Sequence, residues 1–448
     1  MNTNILCRLN QILLIAMLVF LISACQSTGP VHSIDASASD TSATTIPASP
    51  TAQMLNDGPP QTQTTTPLSP PVAVADGTAS RKGVTPGEVI EHAFAAGLPD
   101  SQSDPNTMVA HFIDVGQGDA ILLEFSCAAM LIDTGGEITD RVSGNDRLRD
   151  YLESFFGRRS DLARTLQLVV LSHPHKDHTN GVPVILEAEP AIVVMNVLDD
   201  GTPSSHASGR KGQVALETYA QETEGVGYVG LAESDIKTVS GATNQVIDPI
   251  NCRRGNAGVD PKISALWGRV DLDTGWANDA NNDSVVLRVA FGKSVFLFTG
   301  DLEAEGISAM LESYGLDRSV FNADVLKVGH HGSSNATTAD FVAAVTPKIA
   351  VIQSGDSTPD QERFSAYAFG HPNAVALTLL LDPVNGVSMN RSESVRVRVG
   401  LKGRHPTNGS PPQFTHWEIS KAIYNSGWDG NIAVKANADG TLTVETGF

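Results

Sequence analysis

Cysteine is scarce in this 448-residue chain: four occur, and two of them, Cys7 and Cys25, sit in the N-terminal apolar segment. The other two, Cys127 and Cys252, leave two readings open, a disulfide in an oxidising compartment or two separate buried thiols. Basic residues are also in short supply. Thirty Lys plus Arg stand against fifty Asp plus Glu, a formal net charge of −20, which argues against broad electrostatic capture of nucleic acid and leaves room for a local basic groove at most. There is no Walker loop, no dinucleotide fingerprint and no Ser-His-Asp order, so the commonest nucleotide-binding and serine-hydrolase sites are excluded. What is present is an ordinary globular composition, 41% hydrophobic and 18% charged, long enough for one large core or two smaller ones.

The N-terminus reads as an address. Arg8 precedes the apolar run ILLIAMLVFLI, which ends in Ser23-Ala24-Cys25. The run is shorter than the roughly 20 residues of a comfortable membrane span. The pattern resembles a bacterial lipoprotein signal peptide (residues 1–24). The resemblance implies cleavage before Cys25, lipidation of its thiol and attachment to the cell envelope, with Gln26 favouring the outer membrane facing the periplasm. From residue 25 to 106 the chain is rich in Ser, Thr, Pro and Ala, as in TSATTIPASPTAQ. Such a composition buries too little apolar surface to offset its ordering entropy and reads as a flexible stalk. Within it, GEVIEHAFAAGL is the one stretch with helical spacing.

A folded α/β domain is expected over 107–382. MVAHFIDVGQGDAILLEF with AAMLIDTGG, and later SVVLRVAFGKSVFLFTGD, alternate like strands and break at Gly and Asp where a turn belongs. RLRDYLESFFGRRSDLARTL and LEAEGISAMLESYGL carry helical periodicity. The polar, Gly-rich stretch from about Asp199 to Ala280 predicts loop and short strand. Residues 383–448, containing VRVRVGLKGRH and NIAVKANADGTLTVET, read as a small β-rich extension. The strand, hairpin and polar-tip pattern occurs in both halves, as in a pseudo-duplicated sandwich.

The densest chemistry lies in LSHPHKDHTNG, at the end of the apolar strand LQLVVL. Three histidines and an aspartate occupy six positions there. Imidazole and carboxylate are the donors that borderline metals such as zinc take. His173 and His175 can address one ion, and Asp177 and His178 a second about 3.5–4 Å away. Asp301, at the tip of FLFTGD, is a carboxylate at the end of an apolar strand, costly to bury unless it meets a cation, and it suits a bridge; the alternative is a helix N-cap. VLKVGHHGSS supplies His330 and His331, and FGHPNA supplies His371. A structural zinc site is normally closed by four ligands, usually with cysteine, whereas this set is histidine and aspartate split over two ions, which favours catalysis.

In order, HFIDVGQGDAILLE, LIDTGG, SHPHKDHTNG, NDSVVLRV, FLFTGD and DVLKVGHHGSS resemble the metallo-β-lactamase superfamily, specifically the hydrolase domain of ComEC-type competence proteins, over about residues 108–380. The resemblance implies an αββα sandwich with metals at one sheet edge. It places His173, His175 and His330 on a first zinc, Asp177, His178 and His371 on a second, and Asp301 between them; manganese is the alternative ion. Asp177 and His331 are the residues assigned to the chemistry itself, because adjacent residues leave a strand on opposite sides, so that His330 ligates and His331 faces the substrate. Ser333 and Lys327 are further candidate donors to a phosphoester. Asp114, Gln117 and Asp119 carry turn chemistry, and Asp114 and Asp133 are candidates to orient ligand histidines. Another histidine found in many relatives is missing: NDANNDSVVL offers Asn282 or Asp283 in its place, and His206 is the one histidine in that interval.

The expected activity is hydrolysis of a phosphodiester or related ester, two zinc ions making a bridging hydroxide available near neutrality. RRGNAGVDPK and VRVRVGLKGRH are locally basic, but the overall charge disfavours nucleic acid as substrate. The alternatives are a lactam or lactone hydrolase and a non-catalytic, zinc-holding surface lipoprotein.

Overall fold

The computed structural model describes residues 104–201, 209–253, 258–271, 275–360, 362–404 and 409–447. The signal-like segment, Cys25, the stalk up to residue 103, GEVIEHAFAAGL and His206 lie outside the described residues. In chain order the first half supplies β1 (Thr107–Phe112), β2 (Ile121–Glu124), β3 (Ala129–Ile132), β4 (Thr165–Leu166), β5 (Leu168–Val170), β6 (Val193–Val194), β7 (Asn196–Asp199) and β8 (Gly227–Gly230). The second supplies β9 (Lys262–Trp267), β10 (Val286–Phe291), β11 (Ser294–Phe298), β12 (Val325–Lys327), β13 (Ile349–Ile352), β14 (Asn390–Lys402), β15 (Gln413–Lys421), β16 (Ile423–Asn425), β17 (Ile432–Asn437) and β18 (Leu442–Thr446).

Two sheets form the centre, ordered β18-β17-β1-β2-β3-β5-β7-β8 and β16-β13-β12-β11-β10-β9. Each half runs antiparallel first (β1-β2-β3 and β9-β10-β11) and then parallel (β5-β7-β8 and β12-β13). This is the duplication expected from the sequence. The period-two alternation of the strands sorts side chains between two cores. Met108, Ala110, Phe112, Ile121, Leu123, Met130 and Ile132 join the core between the sheets. Leu122, Ala129, Leu131 and Val169 face outward into a second core with Leu148, Tyr151, Leu152 and Phe155. These last four belong to the helix Gly144–Arg158, whose start is capped by Ser143 accepting from the Asp146 N–H. On the other sheet, Ile307, Met310 and Leu311 of the helix Ala304–Ser313 pack inward. The result is the expected αββα sandwich. Among the described residues no helix is long and apolar enough to cross a membrane.

Two expectations are revised by packing, and one question left open is decided. The Asp199–Ala280 stretch contains a 13-residue helix, Arg210–Glu222, whose buried face is Gln213, Leu216 and Ala220; so mixed a face leaves little apolar periodicity to read. The boundary at 382/383 falls inside the sandwich. Residues of β14 and β15 do form a separate two-stranded ribbon, but β16 adds to the smaller sheet beside β13 and β17 adds to the larger one beside β1. Cys127 and Cys252 are joined in a disulfide, Cα atoms 5.4 Å apart, tying the β2–β3 turn to the segment before β9.

Candidate metal centre

Parallel strands β3, β5, β11, β12 and β13 all deliver their C-terminal ends to one edge, and the polar tips of the sequence gather there. After β5 the chain runs through His173 and His175 into a single helical turn, Lys176–Thr179. Two glycine turns press on that loop from below. A Cβ at Gly135 would stand 1.5 Å from the Asp177 carbonyl oxygen, so the position requires glycine. Backbone N–H groups of Asp119 and Thr134 donate to the Asp177 and His178 carbonyls at 3.0 and 2.8 Å. Asp301 follows β11, its N–H donating to Ser284 Oγ at 3.0 Å.

Asp301 Oδ2 is the hub. It lies 3.1 Å from His178 Nε2, 3.3 Å from His331 Nε2, 3.8 Å from His330 Nε2 and 4.0 Å from His173 Nε2. Asp177 Oδ2 is 3.2 Å from His331 Nε2, and His173 Nε2 is 3.0 Å from His175 Nδ1. Asp177, His178, Asp301 and His331 each offer an atom within 4.8 Å of the others, so that together they could hold a metal ion. A tetrahedral ion with bonds of 2.0–2.1 Å keeps its donors about 3.3 Å apart, the spacing of these edges. Moreover, His178 Nε2 and Asp301 Oδ1 are buried with no hydrogen bond, although the first is only 3.1 Å from a carboxylate oxygen. A buried imidazole nitrogen this close to Asp301 Oδ2 without a hydrogen bond is what two ligands of a common ion show, while Asp301 Oδ1 faces Lys327 at 3.8 Å.

Tautomers are set from behind. Asp133 accepts from the Ser172 N–H at 2.7 Å and lies 2.8 Å from His178 Nδ1. His331 Nδ1 stands 2.8 Å from the Gln353 carbonyl, which can only accept. In the neutral form of both rings the proton is held on Nδ1 and Nε2 is left to the site. His371 differs: its Nδ1 is 3.2 Å from the Gln117 amide nitrogen, and an amide can serve either tautomer.

Charges follow these neighbours. Burial works to raise the Asp301 carboxyl, yet His178, His331 and His330 hold it well below the usual range. Burial works to lower His331, while Asp301 and Asp119 raise it well above an ordinary histidine. His173 and His371 are pushed well down, by burial and then by the adjacent imidazoles. Ionised carboxylates among imidazoles are the donor set that divalent transition metals take.

All the expected ligands reach this edge, but their placement differs from the expectation in two ways. His330 and His331 do not leave on opposite sides of a strand. β12 has ended at Lys327, both residues adopt positive φ (48° and 54°), and both rings turn toward Asp301, His331 the nearer and fully buried. Such backbone is strained for histidine and gathers at functional sites. From the FIDVGQGD loop the carboxylate that reaches the histidines is Asp119, 3.3 Å from His331 Nδ1. Asp114 instead pairs with Arg147 at 2.8 Å and accepts from the Gly116 N–H. Lys327, a candidate donor to substrate, is enclosed at 1% exposure against Asp119. Asn282 accepts from the N–H groups of Glu303 and Gly306 at the start of the helix Ala304–Ser313, so the cap comes from Asn282 and not from Asp301. Asp283 accepts from the Val270 N–H. Glu303, outside every motif of the sequence, also reaches the site, 3.3 Å from His330 Nδ1; its spacing of two from Asp301 is the one signal the sequence offers for it.

A family profile described as the metallo-beta-lactamase superfamily matches residues 113–355. ComE operon protein 3 of Bacillus subtilis is 25% identical over 278 residues, 60% of this chain and 30% of that protein. Recombination protein 2 of Haemophilus influenzae is 27% identical over 247 residues, 55% of this chain and 24% of its own length. The chain therefore spans less than a third of these relatives. Among solved structures, the metallo-beta-lactamase fold protein YhfI from Bacillus subtilis aligns with a TM-score of 0.31 and 13% identity, over 55% of this chain and 85% of that one.

Proposed function

The chain belongs to the metallo-β-lactamase superfamily, and from that premise we propose that it is an extracytoplasmic, lipid-anchored, metal-dependent hydrolase of phosphodiesters or related esters with a dinuclear zinc centre. The observation that carries this reading is the convergence of Asp177, His178, Asp301 and His331 on a common point, beside His173 and His175. His173, His175 and His330 would hold one ion, and Asp177, His178 and His331 the other, with Asp301 between them. His331 thus takes the place that the family resemblance gives to His371. Divalent ions in such a set supply Lewis acidity toward the ester oxygen and bring the pKa of water toward neutrality.

The protein's own groups do the rest. Asp133 and the Gln353 carbonyl keep His178 and His331 in the ligating tautomer. His175, Asp177 and His330 are partly exposed and mark the side from which substrate enters. His371, held by Gln117 beside His331, is the imidazole left to donate an N–H to charge developing on the ester. Attachment through Cys25 would hold this edge at the cell envelope, and a phosphodiester or related ester there is the partner proposed.

The test is zinc content after dialysis together with hydrolysis of bis-p-nitrophenyl phosphate. Wild type should carry about two zinc ions and lose turnover to a chelator. His331→Ala should lose zinc, whereas His371→Ala should keep it and lose about 10²–10³-fold in turnover. The reverse pattern restores His371 as the ligand, and tight zinc without turnover of any ester defeats the enzyme reading.

A further inference from the structure

We propose that the Lys327 ammonium is a built-in cation of the centre, and that by engaging Asp119 and facing Asp301 Oδ1 it makes Asp301 bridge through Oδ2 alone. This rests on the dinuclear reading above. Lys327 closes β12 with its ammonium against Asp119 Oδ2, 3.2 Å from the Gly300 carbonyl and 3.8 Å from Asp301 Oδ1. A lysine buried to this degree persists only with compensating charge, and both carboxylates supply it.

Two observations turn this salt bridge into a positioning device. Asp119, Asp133 and His178 form a second buried group able to hold a cation, and Lys327 Nζ rests on its Asp119; the ammonium serves that group as its cation. The two oxygens of Asp301 also have different surroundings. Oδ2 has four imidazole nitrogens at 3.1–4.0 Å. Oδ1 has no hydrogen bond and looks at the ammonium. Rotating Oδ1 onto an ion would take it from the lysine, which a low-dielectric surrounding resists. Bridging therefore falls to a single oxygen, the arrangement that brings two ions close and couples them electronically.

The experiment uses the full chain titrated with Mn²⁺ and read by metal content and electron paramagnetic resonance. Wild type should bind about two Mn²⁺ and show an exchange-coupled spectrum. Lys327→Met, close in length and uncharged, should bind no less Mn²⁺, because a competing positive charge has gone, yet its coupled signal should give way to six-line spectra of separate ions. The Asp119→Asn/Lys327→Met double variant, which leaves no unpaired carboxylate at Asp119, should behave the same and serves where the single variant does not fold. A lysine that merely supports the fold predicts the opposite, loss of Mn²⁺ in Lys327→Met and recovery of wild-type behaviour in the double variant. Wild-type coupling in the variants, or that loss and recovery, overturns the inference and leaves the dinuclear reading intact. Fewer than two Mn²⁺ in wild type removes both.

Discussion

Asp133→Asn is a change of one atom that should cost the protein metal and little else. Asp133 Oδ1 accepts from the Ser172 N–H at 2.7 Å, and its Oδ2 lies 2.8 Å from both Ser172 Oγ and His178 Nδ1. In the asparagine variant the remaining oxygen stays on the backbone N–H, because a buried donor left unpaired costs about 1–3 kcal/mol. The new NH₂ then confronts His178 Nδ1 with a second donor. His178 must move its proton to Nε2, the atom aimed at Asp301 and the proposed ion. Losing such an orienting partner lowers metal affinity about 10- to 100-fold, equivalent to about 1.4–2.7 kcal/mol. The fold should survive, since Ser172 Oγ can turn from donor to acceptor. Competition titration of zinc against a chromophoric chelator, for wild type, Asp133→Asn and Asp114→Asn, measures the effect. Asp114, engaged with Arg147 instead of a ligand, should leave affinity unchanged. An Asp133→Asn affinity within about twofold of wild type, or an equal loss in Asp114→Asn, would show that the tautomer argument is mistaken.

Other outcomes are equally definite. Cys127→Ala should lower unfolding stability by about 2–5 kcal/mol, because the disulfide closes a separation of 125 residues in the unfolded chain; denaturant titration with and without reductant reads this, and a reductant effect as large in the variant as in wild type contradicts it. Asp199 is pushed up to about 7, by burial first and then by Glu217. The folded state therefore keeps a proton that the unfolded chain releases near pH 4, so the stability it contributes is full below that pH and declines as pH rises to about 7. Asp199→Asn should accordingly raise the melting temperature more at pH 8 than at pH 5, and equal shifts at both would exclude this linkage. Metabolic labelling with palmitate should mark wild type and not Cys25→Ala; label retained in the variant removes the proposed anchor.

The elements legible in advance were those whose signal is local. Strands such as TMVAHF and SVFLF alternate over a few residues, and the helix Gly144–Arg158 carries its own cap and apolar stripe. The helix Arg210–Glu222 was hidden because its buried face includes Gln213, stable only against its particular neighbours. The ligand cluster was legible as a set because histidine and aspartate at strand ends have few other uses.

By itself the sequence determined a duplicated α/β sandwich and the donor chemistry at its strand tips, because side-chain type and strand periodicity are properties of short stretches; the αββα class and the meeting of those tips at one edge came with the family resemblance its motifs carry. Only the tertiary structure decided who stands where among them. The left-handed turn at His330 and His331 sends both rings the same way, which a strand-based argument cannot foresee. Asp119 rather than Asp114 reaches the site because glycine turns lay its backbone against Asp177. Lys327 became an enclosed cation because carboxylates 208 and 26 positions away in the chain, Asp119 and Asp301, close over it. The last strands entered both sheets because open edges beside β1 and β13 needed backbone partners. Each of these outcomes depends on contacts between residues far apart in sequence, and no window along the chain contains both partners.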